Sequence, residues 1–99
     1  MDKLESLLND VVTRCLTNLF GSDAAMAMNY RLNPNLAAYD PDAYESRLNS
    51  LIGEKPADII LRRIEHSLCE RVGLEKREWE SLARCLEAAK PRILGDNFA

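Results

Sequence analysis

An all-α fold, a compact bundle of four to five short helices forming one domain over residues 1–99, follows from three observations. Apolar residues recur at steps of three and four along most of the chain, the period of a helix with one buried face. The stripes are separated by Gly21, Asn33-Pro34, Gly53 and Gly73, residue types that stop helices. Four glycines and four prolines are too few for the many tight turns of an all-β chain. A chain of 99 residues fills a single core, and 46% hydrophobic with 29% charged residues suits a globular protein rather than a disordered one.

The first helix carries Leu4, Leu7, Leu8, Val11, Val12, Cys15, Leu16, Leu19 and Phe20 on one broad stripe, wide enough to be packed on two sides. Gly21 stops it. Ser22 is placed to cap a short second helix, Asp23 to Leu32, with Asp23 at its positive end. Ala24, Ala25, Met26, Ala27, Met28, Tyr30 and Leu32 run almost all the way round this helix. That pattern fits a central core helix or an interface, and burial is favoured.

Pro34 forces Asn33 out of the α region, so 33–39 reads as a loop with Leu36 and Tyr39 tucked against the surface. Asp40-Pro41 starts the third helix as an N-cap followed by proline in the first turn. Tyr44, Leu48, Leu51 and Ile52 form its apolar face, and Gly53 closes it. Pro56 opens a fourth helix, whose core face is Ala57, Ile60, Leu61, Ile64, Leu68 and Val72, and Gly73 ends it. A fifth helix is expected over Glu75 to Lys90, with Trp79, Leu82, Ala83, Leu86 and Ala89 inward. Pro91 ends the regular pattern, and the tail 91–99 frays unless Ile93, Leu94 or Phe98 docks.

The composition also bounds function. The net charge is −3; residues 1–54 hold eight acids and four bases (net −4), and residues 55–99 eight acids and nine bases (net +1). No basic stripe exists for counterion release to reward, which argues against nucleic acid. Cys15, Cys69 and Cys85 are odd in number and form no CxxC, so reduced thiols and a cytoplasmic location are expected. Asp2-Lys3-Leu4-Glu5 is not followed by the apolar stretch of a signal peptide, so none is expected, and no apolar run approaches a membrane span.

Residues able to do chemistry are sparse. His66 is the sole histidine, with Cys69 three residues on, close enough on a helix to share a metal. A closed site would need Cys85 and a glutamate as well, and a solvent-facing His66 paired with Glu70 is the simpler expectation. His66 and Cys69 lack an orienting Asn or Asp, the glycines stand alone as helix caps, and the acids are scattered. No catalytic residue, cofactor or metal is therefore expected, and the chain reads as a non-enzyme.

Ile59 falls on the wet face of the fourth helix near Arg63 and His66, where it would centre a contact patch with a polar rim. With Met26, Met28 and Tyr30 these residues form the expected partner or dimer surface. A homodimer or other protein partner is expected, without membrane or nucleic acid. Two alternatives stand beside it. One is a ligand-sensing bundle with Met26, Met28 and Tyr30 lining an apolar pocket beside Cys15. The other is a DNA-binding regulator with a helix-turn-helix around Gly73, although Glu75, Glu78 and Glu80 would crowd its second helix with negative charge.

The run Asn18-Leu19-Phe20-Gly21-Ser22-Asp23-Ala24-Ala25-Met26-Ala27-Met28-Asn29-Tyr30-Arg31-Leu32 is followed by Tyr39-Asp40-Pro41-Asp42 and by Leu48 to Gly53 before the Ile59-Ile60 helix. This order resembles the Nitrosopumilus output domain, a small archaeal helical family, over roughly Leu4 to Leu74. The resemblance implies a helical signalling or interaction module and assigns no catalytic residue; Glu75 to Ala99 lies outside it.

Overall fold

A computed structural model describes residues 3–75 and 77–95, which form six helices and no strand. These are α1 (Lys3–Phe20), α2 (Ser22–Leu32), α3 (Leu36–Tyr39), α4 (Pro41–Ile52), α5 (Glu54–Val72) and α6 (Leu82–Gly95). The radius of gyration, 12.8 Å, is that of a compact domain of this length. The helix beyond the expected four or five is α3, a single turn where the sequence suggested a loop; it buries Ala37 and Ala38 and leaves Tyr39 exposed.

The longest helices, α1 and α5, form the centre. α5 packs against α1, α4 and α6, while α1 also carries α2 and α3. Leu8, Val11, Val12 and Leu16 of α1 meet Tyr44 and Leu48 of α4, Ile60, Ile64 and Leu68 of α5, and Leu82 and Leu86 of α6 in one core. Because three helices cover α5, its buried stripe is wider than a single-sided pattern would give. It takes in Glu65 and Cys69 as well as the expected apolar face. Cys69 is thus fully buried rather than lying on an open flank beside His66.

Gly21 and Gly53 do two jobs at once. Each adopts an extended conformation at positive φ (+89° and +94°), which side chains with a Cβ disfavour. The Gly21 N–H closes the last turn of α1 onto Thr17, and its carbonyl accepts from Ala25 to open α2; Gly53 does the same between Asn49 and Ala57. One residue therefore ends one helix and begins the next. Ser22 consequently stands inside α2 and is not its cap. Asp40, in contrast, caps as the sequence indicates, its Oδ1 accepting from the Ala43 N–H at 3.1 Å.

The fifth predicted helix starts late. α5 ends at Gly73 in the left-handed conformation, and the Leu74 N–H returns to the Cys69 carbonyl at 2.9 Å, which turns the chain away. The described residues between Gly73 and Leu82 (74, 75 and 77–81) are irregular. Trp79 docks there, almost buried, beneath the Arg77 guanidinium 4.1 Å from its ring, while its carbonyl accepts from Arg62. Helix α6 begins where the Ser81 Oγ accepts from the Arg84 N–H and the Glu45 carboxylate accepts from the Leu82 N–H at 2.7 Å.

Nor does Pro91 end the pattern: α6 runs through it to Gly95. Burial of Ile93 and donation from Arg92 Nη1 to the Gly73 carbonyl (3.0 Å) hold that last turn against the end of α5. Phe98, also offered as an anchor, lies outside the described residues.

Candidate interaction surface

Helix α2 is the element whose placement departs most from expectation. It is not a core helix. Only Ala25 and Leu32 are buried, Met28 is half-buried, and Met26 and Tyr30 are 71% and 91% exposed. The cause is a polar connection on its inner side. Asn29 Nδ2 donates to Thr13 Oγ1 (2.9 Å), Thr13 to Asn9 Oδ1 (3.4 Å), and Asn9 Nδ2 to Asn35 Oδ1 (3.2 Å). These four side chains tie α2 to α1 and to the turn before α3. With Asn29 turned inward, Tyr30 must point away, and Met26, four residues earlier, lies on the same side.

The opposite flank of α2 borders α4. Ala27, Met28 and Arg31 face Leu51 and Ile52 across a depression of about 290 Å³. A second, of about 490 Å³, shares Arg31 and Leu51 and extends past Leu32, Ser46, Arg47 and Ser50. Together they make one shallow groove between α2 and α4. Its floor is apolar, and an arginine stands on each helix. Neither the Arg31 nor the Arg47 side chain makes a hydrogen bond or ion pair with a described residue. Arg14, Arg62, Arg71 and Arg84, in contrast, all have carboxylate partners.

On α5, Ile59 is 57% exposed, and Arg63 and His66 share its outer face at i+4 and i+7. Arg63 and His66 also line a polar depression of about 370 Å³ with Cys15, Asn18, Ser67 and Glu70. The Cys15 Sγ sits 3.6 Å from Ser67 Oγ, and burial raises its pKa, with Ser67 and Arg63 opposing. A thiol so shifted is held away from the thiolate that nucleophilic chemistry requires.

The six residues expected to act together therefore fall into separate places. Met26 and Tyr30 occupy the outer side of α2, Met28 lines the groove, and Ile59, Arg63 and His66 lie on α5. Met26 and Tyr30 stand exposed on α2, whereas the depression beside Cys15 is lined by residues of α1 and α5. Among the described residues, the helix that follows α5 begins at Leu82, nine residues beyond Gly73. His66 is exposed and Cys69 buried, and no group of three or more potential metal ligands occurs among the described residues.

Sequence reasoning missed the groove because it placed Leu51 and Ile52 on the core face of α4. A signal was available. Arg31 has Ala27, Met28, Pro34 and Asn35 at its helical neighbour positions, and Arg47 has Ala43, Tyr44, Ser50 and Leu51. Neither has an acid within reach along its own helix, although this half of the chain carries the net negative charge. No protein-family model, curated protein or solved structure matches the chain.

Proposed function

We propose that this chain is a non-catalytic interaction module of a signalling or regulatory kind, which self-associates through the outer side of α2. The observation that carries this is the exposure of Met26 and Tyr30 on a helix that buries only Ala25 and Leu32. A two-fold contact would bring both side chains of each protomer together, so four large groups leave water at once. Each contributes roughly 1.5–3 kcal/mol if fully covered, which offsets the association cost and favours the dimer as concentration rises. The resemblance to the Nitrosopumilus output domain points the same way. A reducing, cytoplasmic setting suits the three free, buried thiols, and no described helix is long and apolar enough to cross a membrane.

Sedimentation equilibrium tests this directly. The 11.2 kDa chain should run as a dimer at micromolar concentration, and Met26→Asp with Tyr30→Asp should return it to a folded monomer. These positions are preferred to Met28, whose half-buried side chain packs on the core, so a charge there would unfold the chain. A wild-type monomer persisting at high concentration would sink the self-association.

A further inference from the structure

We infer that the groove between α2 and α4 is a docking site for an acidic amphipathic helix of another protein, with Arg31 and Arg47 receiving its carboxylates. This rests on the chain being an interaction module, but it uses a different side of α2 from the proposed self-contact. Charge is the first ground. The two arginines lie on opposite helices, one on each, with no acid engaged to either, in a half of the chain whose net charge is −4. Guanidinium groups left without partners beside apolar floor residues are suited to bidentate capture of carboxylates at an interface rim. Ser46 and Ser50 add hydroxyls on the α4 side.

Shape chooses the class of occupant. Five of the six residues lining the larger depression, all but Leu32, are exposed, so the groove is too shallow to enclose a small ligand. The described residues offer no strand edge to satisfy an extended peptide, whereas a helix satisfies its own backbone. The floor, from Met28 to Leu51 and Ile52, accepts apolar anchors at i, i+4 and i+7, a span of about 10 Å. Two arginines in an acidic half do not make a nucleic-acid surface.

The test uses the full chain and two designed peptides of about four helical turns with the same leucine stripe. One is flanked by glutamates, the other by lysines. Fluorescence anisotropy should show the acidic peptide binding about tenfold more tightly than the basic one, and Arg31→Glu with Arg47→Glu should reverse that order. Both arginines are exposed and without partners, so the exchange leaves the fold intact. Amide shifts on binding should centre on Ala27, Met28, Arg31, Leu51 and Ile52. Met26→Asp with Tyr30→Asp should still bind the acidic peptide in preference to the basic one and through the same residues, which separates this site from the dimer contact. Equal affinity for both peptides, no binding by either, or shifts centred on Tyr30 or Ile59 would overturn the assignment. Loss of self-association in the arginine variant would do so too, by giving the groove to a second copy.

Discussion

Glu65 is the charged side chain buried in the core of the described residues. It is 1% exposed; its Oε1 lies 3.3 Å from Arg62, and its Oε2 has no hydrogen-bond partner. Desolvation raises its pKa from 4.5 to about 7, with Glu45 and Asp58 adding to the rise and Arg62 opposing it. Below pH 4.5 both folded and unfolded chains hold the proton, and the group costs nothing. Above that value the unfolded chain releases it while the folded chain keeps it, so stability falls as pH rises toward 7. The full loss is on the order of 3–4 kcal/mol. Urea titrations at pH 5 and pH 8 should therefore show wild type losing stability relative to Glu65→Gln, which carries no proton to release. Identical pH slopes in the two proteins would show that Glu65 titrates normally.

At the scale of elements, Gly73 and Asp40 make the sharpest tests. Gly73 has φ +74°, and a Cβ there would meet only Arg92 Nη1 at 3.6 Å, an ordinary contact. The cost of Gly73→Ala is therefore backbone strain alone, about 1 kcal/mol. Asp40→Ala removes the side-chain cap on α4 and should cost a similar amount, about 1 kcal/mol. Chemical denaturation measures both, and a loss above about 3 kcal/mol in either would mean more than local geometry is involved. These boundaries were legible because Asp40-Pro41 and the three helix-ending glycines act through their own backbones. The start of α6 was not. Trp79 continues the apolar spacing of Leu82 and Leu86, so periodicity ran the helix back to Glu75, whereas Trp79 is held by Arg62 and Arg77 outside any helix. The site was still less legible. Whether Met26, Tyr30 or Leu51 faces protein or water depends on how α2 sits on α1 and α4, and the contacts that fix it, from Asn29 to Asn35, link residues distant in sequence.

Across the whole molecule, burial is unevenly shared, and this predicts where the fold opens first. α5 buries seven side chains and packs on three helices; α2 and α4 bury two each, but those of α4 are Tyr44 and Leu48, packed toward α5 and α6, whereas those of α2 are Ala25 and Leu32, and α3 is a single turn. Regions with few buried apolar contacts exchange their amide protons through local opening at less than the global free energy. Under native conditions α1 and α5 should exchange most slowly, with α2 the fastest of the longer helices. The difference bears on function as well as folding. A loosely held helix that presents Met26 and Tyr30 on one side and borders the arginine groove on the other gains order when either side is covered. Protection in α2 should therefore rise with protein concentration, through self-association, and should rise separately when the acidic peptide is added to the Met26→Asp, Tyr30→Asp monomer. Hydrogen exchange read by mass spectrometry resolves both. An α2 as protected as α5 in the dilute chain would show that the polar connection from Asn29 to Asn35 anchors it more firmly than its apolar burial implies, and would remove ordering on binding as part of how the surface works.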